Sequence, residues 1–378
     1  MHAQSVNFPV ANLNNVRYAS AFPGATAGVK IANCIADLPA SGGVCDARGL
    51  EGAQTIAADP FAGMALPAAP TLGSTAGGSL PQTQYFVEIT YVGGPKGETG
   101  PSIETVETVP ANQLLTVSCP NAPAASGATG CNVYAASVWG SESKQNASTV
   151  ALSGTWTEPA SGLVSGAARP TGKQGTLRLG AGQYNTSATI NPPSGWNIEC
   201  VYGGKAFGIP VDPEAGTTLF WTGAGNLPVI KIFNAHHVSI RGCTIDGNLT
   251  AGSTGILMDS TNAPPGHNIV IQDFNLYRLA VGVQVGTASL PDSAGYEVDK
   301  WQLFNGSIDS NMAGSEGIVI NGANKAQDSK IQAVTLADVD TDIDLTGGGS
   351  YLDIEDCSFG SPVSSGHTDA INTIGAVT

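Results

Sequence analysis

Charge is scarce in this chain: Asp, Glu, Lys and Arg make up 12% of its 378 residues, about half the share of an ordinary globular domain. Cations are scarcest, with Lys+Arg 15 against Asp+Glu 30 and a formal net charge of −15. Such a surface excludes a phosphate-backbone partner, and with it a nucleic-acid role. A long helical bundle is excluded too, because bundles draw heavily on Glu, Lys, Arg and Leu. No apolar run approaches the about 18 residues that cross a bilayer, so no membrane span is expected. Among seven cysteines there is no Cys-x-x-Cys, which removes zinc-ribbon, thiol-redox and c-type haem readings. Residues Met1 to Val6 show no basic stretch leading into an apolar core, so no signal peptide is visible. A mature secreted chain given a start Met would read the same way.

What is present is apolar and turn-rich. Hydrophobic residues are 42% of the chain and glycines number 49, enough apolar surface to bury a core and enough turns to break it into short strands. The expected class is all-β and extracellular. An odd cysteine count leaves one thiol over in a monomer. Cys34/Cys45 and Cys119/Cys131 are close enough in sequence to form local bridges.

The chain divides into three textures: residues 1–67, 68–172 and 173–378. The first holds one helical stretch, Thr26 to Asp37, whose spacing puts Val29, Ala32, Ile35 and Ala36 on one face before Leu38-Pro39 ends it. A short strand over Val44 to Ala47 follows. The second contains Tyr85 to Val92, Leu114 to Val117, Asn132 to Tyr134 and Thr155 to Thr157, short strands between Gly, Pro and Ser turns. That is the pattern of a small β-sandwich.

The third texture repeats. Ile240-Arg-Gly-Cys243-Thr-Ile245 recurs as Ile271 to Leu276, Leu303 to Ile308, Ile331 to Leu336 and Ile354 to Phe359, at steps of 31, 32, 28 and 23 residues. Between these lie Gly255-Ile256-Leu257, Gly282-Val283-Gln284, Gly317-Ile318-Val319, Asp342-Ile343-Asp344 and Ile371-Asn372. Units this short cannot be helices. A period of about 20–35 residues with several strands is a solenoid, because a single coil buries its apolar side only by stacking on the next.

At these residues the chain resembles the right-handed parallel β-helix superfamily of pectate lyases, polygalacturonases and phage tailspikes. The likeness covers residues 16–50 and 174–378. Val16-Arg17-Tyr18, the helix and Gly42-Gly43-Val44 resemble its N-terminal cap, and Leu177 to Tyr184 resembles its first-coil signature. The middle module is similar to fibronectin-like sandwiches and interrupts the first coil between Gly49 and Gly175. The resemblance implies polysaccharide as partner, with lyase or hydrolase chemistry where the chain is active. It equally accommodates a non-catalytic fibre, spike or filament subunit that self-assembles through the solenoid ends. The polygalacturonase elements Asn-x-Asp, Asp-Asp, Gly-His-Gly and Arg-x-Lys are missing from residues 174–378. Only Gly266-His267 and Gly366-His367 half-match the third.

Strand alternation sorts the faces. With Cys243 and Ile245 inward, Thr244 and Asp246 point outward. Carried along the repeats, this gives one outward column of Thr244, Asn275, Ser307, Thr335 and Ser358. A second holds Asp246, Tyr277, Asp309, Ala337 and Gly360. Asp246 and Asp309 then sit two coils apart, about 9.6 Å, near the upper spacing of an inverting carboxylate pair. Tyr277 between them is a sugar platform. A lyase reading needs a nearby Arg or Lys as base: Arg241 and Arg278 lie in the coils, with Lys300, Lys325 and Lys330 nearby, and Arg241 is the candidate. The same residues also read as ordinary turn and surface groups. The run Asp338, Asp340, Asp342 and Asp344 places four carboxylates at alternate positions, a candidate Ca²⁺ site if the segment is extended. A kink there would leave only an acidic edge. Cys243 and Cys357 share one inward column and read as buried small hydrophobes. A Cys200–Cys243 bridge stays open as the alternative.

Overall fold

The computed structural model describes residues 15–50, 54–64, 66–170, 172–203, 216–260, 266–287, 298–321, 326–346, 351–360 and 371–374. Its main body is a solenoid of parallel strands. A complete coil has three of them. In one coil they are Val238–Arg241, Thr244–Asp246 and Thr254–Asp259. In the next they are Gly266–Gln272, Asn275–Tyr277 and Val281–Val285. First and second strands belong to one large sheet, and third strands stack into another.

The register follows the repeats. Ile240 pairs with Ile271, then Leu303, Ile331 and Ile354. Ile256 pairs with Val283, then Ile318, Ile343 and Ile371. Ile240 to Ile331 of the first column and Ile256 to Ile343 of the second join Leu219, Ile245, Leu276, Ile308 and Leu336 in one continuous core, with Ile354 partly buried against it. Each fully buried aliphatic side chain contributes about 1.5–3 kcal/mol.

The bend between first and second strands has one backbone solution in five successive coils. Gly242, Asp273, Asn305, Ala333 and Asp356 occupy it with φ of 77°, 55°, 49°, 55° and 53°. A single left-handed residue turns the chain while both flanking strands keep their ladders. Glycine, asparagine and aspartate tolerate this conformation. Ala333 carries its cost. Behind the bend the inward position alternates in size: the Phe274 ring fills the space that Gly306, one coil on, leaves open.

The helix is Ala27–Asp37, with Thr26 as its N-cap accepting the amide of Val29 at 3.4 Å. Its buried face is Ala27, Gly28, Ile31, Cys34 and Ile35. This corrects the expected face: Val29 is 45% exposed, because the helix lies on Gln54–Ile56 through Gly28. Val16–Tyr18 adds a parallel strand beneath Gly43–Ala47. The Nζ of Lys173 donates to the last helical carbonyls, Ile35 at 3.2 Å and Ala36 at 2.9 Å, where the dipole favours a cation.

Residues between Thr71 and Thr157 form two antiparallel sheets. One holds Thr83–Val92, Thr105–Val109, Gly130–Ala136, Ser143–Lys144 and Val150–Ala151. The other holds Thr71–Ala76, Gln113–Ser118 and Thr155–Thr157. They enclose their own core, including Val87, Ile89, Tyr91, Leu115, Val117 and Val133. The chain leaves the solenoid later than Gly49, since Gln54–Ile56 already pairs with Tyr184, Asn185 and Thr186. Phe61 and Met64 still pack in the solenoid core.

Six cysteines are bridged: Cys34–Cys45, Cys119–Cys131 and Cys200–Cys243. Cys357 is free. Of the two readings of Cys243 the bridge to Cys200 is the one realised, and Cys243 is buried as well. Its coil lies directly on that of Cys200, and their Cα atoms are 5.0 Å apart.

Candidate functional site

The second strands are short, three residues in Thr244–Asp246 and in Asn275–Tyr277. With Ile245 and Leu276 turned to the core, the flanking residues face away from it. The ladder places Thr218, Thr244, Asn275, Ser307, Thr335 and Ser358 in one row. Beside it run Phe220, Asp246, Tyr277, Asp309 and Ala337.

The middle of the first row is polar yet closed to water, with Thr244, Asn275 and Ser307 only 2–3% exposed. Its groups satisfy one another: Ser307 Oγ donates to Asn275 Oδ1 at 2.7 Å, and Asn275 Nδ2 donates to Thr244 Oγ1 at 3.3 Å. Side chains stacked about 4.8 Å apart cover their neighbours above and below. None of these three side chains is open to a ligand.

The second row carries the chemistry. Asp246 accepts Nε of Arg278 at 2.8 Å, its Nη2 through the other oxygen, and the backbone amide of Asn248 at 2.9 Å. Arg278 reaches back one coil because its backbone is left-handed, φ 51°. Its guanidinium lies over the rings of Tyr277 at 5.3 Å and Phe220 at 5.9 Å. The hydrogen bond with Asp246 holds the arginine still more firmly protonated. Burial, then the neighbouring Asp309, pushes the Tyr277 phenol upward, so it remains a neutral donor. Asp309 is 2% exposed and accepts Nδ2 of Asn311 at 3.2 Å.

Of the four residues expected to act together, Asp246, Tyr277 and Asp309 share this row and Arg241 does not. Arg241 ends a first strand, beyond the Gly242 bend. It donates to Gln272 at 2.9 Å and lies 3.6 Å from Asp273. The cation of the row is Arg278, and Phe220 and Asn311 join it. Counting by alternation reaches Tyr277. It could not foresee that the next residue folds back.

The acidic run does not lie on one strand. Ala337 ends one element and Thr341 opens the next. Asp338 sits in the bend at φ 50°, Asp340 accepts the amide of Gly314, and Asp342 is 1% exposed. Asp344 follows on the third-strand sheet, paired with Val319. Among the described residues no three Asp, Glu, His or Cys side chains come together as a metal would require. Gly366-His367 lies outside the described residues.

No family model matches this chain, and no curated protein matches it. Among solved structures it is similar to a Parabacteroides merdae protein provisionally assigned as a glycosyl hydrolase. The identity is 14% and the TM-score 0.33, over 49% of this chain and 81% of that one. Likeness at that level carries no information about chemistry.

Proposed function

We propose that this chain is an extracellular solenoid that binds polysaccharide along the second-strand face. One observation carries the reading: the strip Phe220, Asp246–Arg278, Tyr277 and Asp309. It joins two half-buried aromatic rings to a planar guanidinium that Asp246 holds in place, the combination that stacks on sugar faces. The three bridges support an oxidising compartment. No described helix is long and apolar enough to cross a membrane. The antiparallel part, residues 68–172, is in this reading a self-contained module spliced into the first coil.

Binding, not cleavage, is the activity this strip supports. Asp246 is committed to Arg278 through both oxygens, and a general base or acid must be free to exchange a proton with substrate. Affinity electrophoresis against neutral and acidic polysaccharides tests this, with reducing ends and unsaturated products followed in parallel. Retardation by at least one polymer without new ends is expected. Passage through every gel unretarded would refute it. A fibre subunit is the second reading, favoured by Tyr351 and Phe359, 74% and 37% exposed on one rung. Sedimentation that shows only monomer across the accessible concentrations would remove it.

A further inference from the structure

Second and third strands are joined by turns of unequal length. Thr244–Asp246 and Thr254–Asp259 leave seven residues between them, 247–253. One coil on, Asn275–Tyr277 and Val281–Val285 leave three, 278–280. The coil after that leaves six, 310–315, between Val298–Asp309 and Glu316–Asn321. Two protruding turns therefore flank a short one, and the surface is notched across the solenoid axis beside Tyr277 and Arg278.

Both walls are braced from outside the notch. The turn of the preceding coil, 222–227, lies against the first wall. A Cβ at Gly225 would meet the carbonyl oxygen of Ala251 at 2.3 Å, and one at Gly252 would meet the side-chain oxygen of Asn226 at 2.1 Å. Behind the second wall, the amide of Gly314 donates to the Asp340 carboxylate. The ladder sets the walls two coils apart, and the gap between them is one coil wide, about 4.8 Å. That is room for a single saturated ring.

Leu249, on the first wall, has two unfavourable features at once. Its φ is 55°, where the Cβ of a bulky residue crowds the following carbonyl oxygen. Its side chain is apolar, yet the residue is 52% exposed. Its amide donates to the carbonyl of Arg278 at 3.1 Å, which fixes it over the short turn. Strain held at an exposed position points to a function there. Met312 is its half-buried counterpart in the second wall.

We propose that this notch selects the sugar: one pyranose of a linear polysaccharide enters edge-on, its faces against Leu249 and Met312 and its edge toward Arg278. The proposal rests on the polysaccharide-binding reading above. The polymer then crosses the solenoid axis, from the Tyr277 face toward the third strands. Apolar walls suit ring faces that carry only C–H bonds. β-Linked sugars of gluco or xylo configuration present two such faces, because every substituent is equatorial. An axial hydroxyl, as in mannose or galactose, would be pressed against a wall without a hydrogen-bond partner.

Calorimetric titration of the full chain with soluble β-glucan, xylan, mannan and polygalacturonate tests this. β-Glucan or xylan should bind, and mannan and polygalacturonate should bind at least about tenfold more weakly. Leu249→Gly relieves the strain and deletes one wall. Its melting temperature should match or exceed that of the unmodified chain, while its affinity falls at least about tenfold. A merely structural role would leave affinity unmoved. Met312→Ala should also weaken binding, and it decides the matter if the glycine variant fails to fold. Leu227→Ala, on the bracing turn and 44% exposed, should bind like the unmodified chain. So should Trp139→Ala, whose indole is 74% exposed in the antiparallel part. Preference for mannan or polygalacturonate, or full affinity in either folded wall variant, overturns the notch. The binding face itself survives that result if Tyr277→Ala still loses affinity. Failure to bind any of the four polymers removes both.

Discussion

Arg278 holds Asp246 from one coil away, Nε to Oδ1 at 2.8 Å, while its guanidinium covers Tyr277. Asp246 retains only 7% side-chain exposure and Arg278 24%. Removing either partner leaves a mostly buried charge uncompensated. Arg278→Ala is expected to lower the unfolding free energy by about 2–3 kcal/mol. Combined with Asp246→Asn it should cost clearly less than the sum of the single changes. Urea unfolding of the cycle checks this, and strict additivity would contradict the pairing. Arg241→Ala, by contrast, removes only exposed contacts and should cost about 0–1 kcal/mol.

The left-handed bend predicts a stabilising change. Ala333 stands at φ 55° where neighbouring coils use Gly242, Asp273, Asn305 and Asp356. Ala333→Gly should gain about 0.5–1 kcal/mol and Ala333→Val should lose about 1–2 kcal/mol. Thermal unfolding of both variants measures it. A destabilised glycine variant would show that the conformation is wrongly assigned.

Packing behind the bend predicts the opposite at Gly306. A Cβ there would meet the Phe274 ring at 2.2–2.4 Å. Gly306→Ala should cost about 1–3 kcal/mol through overpacking. Adding Phe274→Leu should restore part of that loss, because the space contested is the ring's own. Two independent losses would count against the size alternation.

Oxidation state is directly countable. Denatured, unreduced protein should react with one equivalent of thiol reagent, at Cys357. Peptide mapping should recover Cys34–Cys45, Cys119–Cys131 and Cys200–Cys243. The last spans 43 residues, and Cys200→Ser with Cys243→Ser should cost up to about 4 kcal/mol.

The solenoid was legible because each strand alternates and each coil is punctuated by Gly, Asn or Asp. Ile240 through Ile354 and Ile256 through Ile371 could be stacked by counting. The stacking of Asp246, Tyr277 and Asp309 followed from the same count. Events that depend on one backbone angle or on a coil's length were not legible. Arg278 folds back through a conformation arginine rarely adopts, and nothing local announces it. The acidic run looked extended, whereas Asp338 turns the chain between two strands. The Cys200–Cys243 bridge was legible as one of two alternatives, because the repeat sets Cys200 one coil from Cys243, but counting could not choose between them. On the helix, Val29 fitted the apolar period, but the small residue Gly28 chose the face that lies against Ile56.

Calorimetric titration of the polymer selected by electrophoresis, into four forms of the protein, probes the binding face most directly. The forms are the unmodified chain, Tyr277→Ala, Arg241→Ala and Trp139→Ala. Binding on the second-strand face predicts at least about tenfold weaker affinity for Tyr277→Ala, corresponding to about 1.4 kcal/mol, with the other two unchanged. Full affinity in Tyr277→Ala, or its loss in Trp139→Ala alone, would place the ligand elsewhere and contradict the account.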